Sequence, residues 1–204
     1  MHWVMVDGIP LPKRVGGHPA LDFCNTYAGW DERFNPRGEW LRSYEVLARF
    51  AGYLELIDES DVRRLCRAAA RDDEGAAEVL AETRRFRKHL HSAVTEPSSA
   101  RLLGPVTRLV QRAAAQARLR PGAQGTARWE IPRSAGLEMP LLVLALSAAE
   151  LLTSPELLLV KSCPGPECGW MFIDGRGRRR WCSMSSCGNR AKSRAYSQRH
   201  RTRA

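Results

Sequence analysis

Apolar side chains recur every three or four residues along much of the chain. Tyr44, Leu47, Ala48, Ala51 and Leu54 keep a 3.6-residue period, and Ser43 stands just before them, where its hydroxyl can cap the first turn. A helix is therefore predicted from residue 44. Asp58 opens a second pattern with Val62, Leu65, Cys66 and Ala69 facing inward, and a third runs from about Glu74 to Val94 with Val79, Leu80, Thr83, Phe86 and Leu90 as its stripe. His89 and His91 on that third helix point to different sides, so they cannot share a metal and are expected as surface histidines. A fourth helical segment is expected over about Ser99–Ala117, broken or kinked at Gly104-Pro105, because proline lacks the N–H and crowds the preceding turn. Nearer the N-terminus, Leu21, Cys24 and Ala28 predict a short helix with one buried side. Cys24 and Cys66 fall where small apolar residues would serve, and a buried free cysteine behaves as one.

The period then changes. Arg118-Leu119-Arg120, the turn Pro121-Gly122 and the stretch Thr126–Ile131 predict a β-hairpin, with Leu119, Ala127, Trp129 and Ile131 inward and Trp3–Val6 as a candidate added strand. Pro140 opens the most apolar run, Leu141–Leu152, which should be the centre of the core. It holds Ser147 and Glu150 and is too short to cross a membrane. These patterns predict a mainly α chain with a small β-hairpin or sheet, an α+β fold. A helical body over residues 1–160 would be followed directly by a small module over residues 161–204. The final residues, 198–204, read as disordered.

Charge sharpens that division. The 204-residue chain carries a net +10, but residues 161–204 hold eleven Lys and Arg against Glu167 and Asp174, or +9, leaving the body near neutral. A neutral body with a basic end points to nucleic acid more strongly than a uniformly high charge does. Residues Met1–Gly17 lack the basic and apolar segments of a secretory signal, so a cytoplasmic protein is expected, nucleoid-associated if it binds DNA, with no membrane partner.

The most specific signal lies inside the basic module. Cys163 and Cys168 form one pair, Cys182 and Cys187 another, each with four residues between its members. Two short loops thus offer two thiolates each to one tetrahedral ion, and Pro164, Gly165, Pro166 and Gly169 let the first loop turn tightly. Two disulfides are the competing reading, but they belong to an oxidising compartment. One zinc ion is predicted. Four thiolates leave no position for water, no histidine lies between the pairs, and neither Glu167 nor Asp174 has a visible partner for acid–base work. The zinc is therefore expected to be structural, and the protein is not expected to be an enzyme.

The run Arg180-Trp181-Cys182-Ser183-Met184 followed by Cys187-Gly188-Asn189-Arg190-Ala191-Lys192 resembles the signature of the CGNR zinc-finger family. The segment Leu21-Asp22-Phe23-Cys24-Asn25-Thr26 is similar to the opening of the ABATE domain found ahead of that finger in bacterial proteins. The resemblance implies a stress-induced transcription regulator: an ABATE-like body with a sensing or association role, then a treble-clef-like or ribbon-helix finger.

Within the finger, Met171–Ile173 and Arg178–Trp181 read as the two arms of a hairpin around Asp174–Gly177, and a basic helix should begin near Asn189. Arg176, Arg178, Arg179 and Arg180 of the hairpin and Arg190, Lys192, Arg194 and Arg199 of the helix are the candidate nucleic-acid contacts. Asn189 and Arg190, beside Cys187, are alternatively groups that hold the ligand loop from behind. Phe172 and Trp181 are expected as the finger's small core. In the body, Asp22, Asn25 and Thr26 either line a pocket for a small effector or tie the adjoining loop by side-chain to backbone bonds. The expected partner is DNA, with structured RNA as the alternative; a third reading makes the finger a clasp on a ligand-binding or enzymatic body. Oligomeric state is left open.

Overall fold

The computed structural model describes residues 2–30, 35–122 and 125–201. Residues 202–204 of the tail expected to be disordered lie outside that set, while residues 198–201 continue the last helix.

Strands β1 (Trp3–Val6) and β2 (Ile9–Pro12) form an antiparallel hairpin turned at Asp7 and Gly8. Both turn residues lie at positive φ, 47° and 78°, the twist that suits a two-residue hairpin loop. This local closure corrects the expectation that Trp3–Val6 would join the later hairpin. Helix α1 (Pro19–Cys24) follows, then α2 (Tyr44–Tyr53), α3 (Glu59–Ala69) and α4 (Asp73–Thr95). Each starts at a side chain that accepts from a free N–H of the first turn: His18, Ser43, Asp58 and Asp72. Helix α5 (Ala100–Gln116) passes through Gly104-Pro105 without ending, so the expected break is not there. Pro105 sits close to the helix start, where only one ladder bond is forfeited.

Strands β3 (Arg118–Pro121) and β4 (Ala127–Glu130) pair as the sequence predicts, but their side chains do not turn inward. Leu119 and Trp129 are 61% and 58% exposed, and only Ile131, just past the hairpin, is buried. Helix α6 (Met139–Thr153) is apolar on all sides because it is surrounded: it packs on α1, α2, α4 and α5, and Leu141, Leu142, Leu144 and Leu151 are fully buried. With the turn Arg133–Glu138 before it, the segment is long and apolar enough to cross a membrane by composition, yet Gly136 interrupts the helix at φ 56°. Its α-helical part is the core.

A 3₁₀ turn, Pro155–Leu159, carries the chain from α6 into β5 (Val160–Ser162), which pairs antiparallel with β6 (Met171–Ile173). The expected pairing of residues 171–173 with 178–181 is therefore corrected. The reason is Asp174, whose carboxylate accepts from the N–H groups of Arg178 and Arg179 at 3.0 and 3.2 Å and from Lys161 Nζ at 2.7 Å. The lysine holds that carboxyl below the usual range. The segment curls around one side chain instead of running back as a strand.

The free edge of β6 meets the body. Asn25 Nδ2 donates to the Met171 carbonyl at 2.9 Å while its Oδ1 accepts from the Met171 N–H at 2.7 Å, so one fully buried amide replaces a missing strand. One step along, the Ile173 N–H bonds the Gly16 carbonyl at 2.8 Å. Gly16 is in turn held by Asp22, whose Oδ1 accepts from the N–H groups of Val15 and Gly16 at 2.8 Å each. A Cβ on Gly16 would come within 2.8 Å of Leu21 Cβ, so no other residue fits this strap. Thr26 completes the joint: its hydroxyl donates to the Phe23 carbonyl and accepts from buried Arg87, which also pairs with buried Glu39.

Asn25→Ala would leave both peptide groups of Met171 buried and unpaired, and is expected to lower stability by about 2–4 kcal/mol in urea unfolding of zinc-loaded protein. A loss under about 0.5 kcal/mol would contradict the strand-replacement role. Burial pushes the Asp22 carboxyl up to about 6, against the pull of its two backbone donors. Its folded pKa thus exceeds its unfolded value, so the stability it confers is present at low pH and is lost as pH rises through 6. Between pH 5 and 7, with zinc in excess, wild type should lose about 1 kcal/mol relative to Asp22→Asn, which keeps the accepting oxygen.

Candidate metal centre

The loop between β5 and β6 contains Cys163 and Cys168, and the loop after Trp181 contains Cys182 and Cys187. All four side chains are buried, and their sulfurs lie within 4.8 Å of one another. The separations Cys168–Cys182 and Cys182–Cys187 are both 3.7 Å. A tetrahedral zinc with Zn–S bonds of about 2.3 Å requires sulfur–sulfur edges of about 3.8 Å. The sulfurs are free rather than bonded in pairs, so the four cysteines form a closed site for one structural zinc ion.

The backbone builds this cluster locally. The Cys163 N–H bonds the Trp170 carbonyl at 2.8 Å, and the Cys168 N–H bonds the Gly165 carbonyl at 3.0 Å, closing a tight loop on the strand ends. At Gly165 a Cβ would stand 3.0 Å from Cys187 Sγ and 3.4 Å from Cys163 Sγ, so a side chain there would crowd the ligands. Cys182 lies in the bend after Trp181, and Cys187 sits on a turn of π-helix, Met184–Gly188, that runs directly into α7 (Asn189–Arg201). A ligand loop on a hairpin is thus followed by a helix that starts two residues past the fourth ligand, an order that fits a zinc finger.

Four buried thiols this close divide their acidity: hydrogen bonds among the sulfurs push Cys187 down and Cys182 up. Only a dication lets all four ionise together. Zinc with four thiolates carries −2, and the Arg190 guanidinium answers it at Cys187, with the His2 ring beside it. Arg190 Nη2 lies 3.0 Å from the sulfur, and His2 Nε2 lies 3.6 Å from it and 3.2 Å from Arg190. Of the two residues expected behind the ligands, Arg190 takes that role. Asn189 is exposed, and its backbone N–H bonds the carbonyls of Met184 and Ser186. His2 was not legible, because 185 residues separate it from the sulfur it faces.

The finger's core is Trp170 and Phe172, with Trp181 half-buried at the side. Arg179 lies over the Phe172 ring at 4.2 Å and donates to the carbonyls of Ile173, Val15 and Cys182. This candidate nucleic-acid contact is a clamp between finger and body. Arg176, Arg178 and Arg180 are exposed, as are Lys192, Arg194 and Arg199 on α7. Asp22, Asn25 and Thr26 come together, but inside the body–finger joint, with 4% exposure or less and their polar atoms bonded to backbone and Arg87. They are joint residues, not the lining of a pocket. His91 departs from the surface reading too: it stacks on Trp30 at 3.8 Å and bonds the Gly169 backbone, and burial lowers its pKa to about 4.

A family model described as "CGNR zinc finger" matches residues 160–200. A second, ABATE, described as "Putative stress-induced transcription regulator", matches residues 17–155. No curated protein matches the chain.

Purified protein is expected to hold one zinc per chain and to lose it on Cys187→Ser. Arg190→Ala should keep the stoichiometry but weaken zinc about 10–100-fold in a chelator competition, because the donor to the thiolate is gone. An unchanged competition curve would remove Arg190 from the site.

Proposed function

The chain belongs to the ABATE family and carries a CGNR zinc finger, and on that premise we propose that it is a bacterial transcription regulator that binds DNA through the finger. The observation that carries this reading is α7. It is a 13-residue helix with no acidic residue in its sequence, it starts two residues after the fourth zinc ligand, and Lys192, Arg194 and Arg199 on it are exposed. A helix this polar does not help to build a core, whereas its shape and charge suit a major groove lined by phosphates. The loop cations Arg176, Arg178 and Arg180 extend the same charge. Counted with zinc and four thiolates, the module's +9 becomes +7, still the bulk of the protein's positive charge.

The body would hold the finger in place and respond to a small effector. The zinc is assigned a structural role, since four thiolates leave it no position for a substrate water, and no enzymatic activity is proposed. A cytoplasmic location follows from the same reading.

Duplex-DNA binding should weaken steeply with salt. About four to six neutralised phosphates give a log–log slope of roughly −4 to −5. Arg178→Ala, Arg180→Ala and Arg194→Ala together should abolish binding while zinc content and the unfolding midpoint stay unchanged. Arg179 and Arg190 are left intact in this variant because their guanidinium groups hold the fold and the metal site. Salt-independent binding, or a triple variant that binds normally, would overturn the proposal. Preference for structured RNA over duplex DNA in competition would do so as well, since a narrow A-form major groove excludes a helix.

A further inference from the structure

The geometry points to a binding pocket for a small aromatic carboxylate between α4 and the segment that follows α1. The cavity has a volume of about 390 Å³ and is lined by Tyr27, Trp30, Arg84, Arg85, Arg87 and Lys88, with Glu39 at its floor. That volume suits a ligand of one or two rings. Its walls divide by chemistry. One is aromatic: Trp30 meets Tyr27 edge-on at 5.0 Å and is fixed from behind by stacking on His91. The other is cationic, contributed by successive turns of α4.

The charge on that wall is largely unanswered. Among the described residues Glu39 is the only acid in the lining, and it is occupied: its oxygens take two bonds from Arg87 and one from the Leu41 N–H. Arg84 donates to the Leu41 carbonyl, which leaves its charge in place, and lies 3.7 Å from Glu39. Arg85 and Lys88 are exposed and have no ion pair among the described residues. Several cations facing a rigid indole in a cavity recognise an anion that is also flat: the carboxylate meets Arg85 and Lys88, and the ring lies against Trp30. The pocket also touches the metal module. The Gly29 N–H bonds the Cys168 carbonyl at 3.0 Å, and a Cβ on Gly169 would stand 3.0 Å from Trp30 Cβ. A ligand against Trp30 would press on the loop that holds two of the four cysteines.

This inference gives the effector role a location other than Asp22, Asn25 and Thr26. It stands on the body's own geometry, and its test contains no nucleic acid, so a failure here and a failure of DNA binding are separable. The experiment is calorimetric titration of the full zinc-loaded chain with salicylate and indole-3-acetate, against their uncharged amides. Saturable binding by at least one acid is expected, with its amide at least about tenfold weaker, the loss of one charge-assisted contact. Arg85→Ala with Lys88→Ala should weaken the acid about tenfold or more while the unfolding midpoint is unchanged, both side chains being exposed. Absence of saturable binding by either acid to folded protein would overturn the proposal. So would equal binding of acid and amide, or binding that the double variant leaves intact.

Discussion

Two strands of three residues cannot hold each other in water, and that constraint governs the C-terminal part of this protein. Strands β5 and β6 have only Trp170 and Phe172 as a large apolar core, far too little to stabilise a module of this size. The shortfall is met at both ends. At the turn, zinc gathers Cys163 and Cys168 with Cys182 and Cys187. At the open edge, Asn25 and Gly16 bond the peptide groups that a third strand would have taken. Metal and body thus support the same strand pair, and the finger depends on the body for the partners of one strand edge.

The arginines show how little a charge count says by itself. Arg87 is buried against Glu39 and Thr26, an arrangement whose desolvation cost makes it a device for geometry more than for stability. Arg179 ties three carbonyls from both sides of the joint. Arg190 answers the negative metal site. Arg87 and Arg179 lie in contexts where a planar fork of donors is needed and lysine would not serve. What remains exposed, on the loop after Asp174 and on α7, is the fraction whose charge is available to a partner.

Much of this was legible in the sequence, and what was missed has a common cause. The helices announced themselves by period, and α2 and α3 also by the residues that open them, Ser43 and Asp58, which do cap them. The four cysteines were readable from spacing alone, because a metal site places its ligands in short local pairs. The hairpin drawn over 170–181 failed because spacing does not reveal that Asp174 will collect two backbone N–H groups and a lysine. Asp22, Asn25 and Thr26 stood out as polar residues in an apolar helix, and polarity alone does not separate a ligand pocket from a joint. The partner that decides it, Met171, is 146 residues away. Likewise Trp129 and Leu119 alternate as a buried face would, yet nothing in their own segment shows that the hairpin stands clear of the core.

Zinc and charge act on different properties of the finger. The cations of α7 exist whether or not the metal is bound, so attraction to a polyanion does not require it. The direction of α7 does require it, since the helix starts two residues after Cys187 and has no apolar face of its own to dock. Without zinc the helix would keep its charge and lose its orientation. That separates affinity, which is mostly electrostatic, from specificity, which needs fixed geometry. On the proposed reading the same logic reaches the body: Trp30 and Asn25 both touch the β5–β6 hairpin, so an event that moved either would shift the loop holding two of the cysteines, and with it the aim of α7, without altering the charge on that helix.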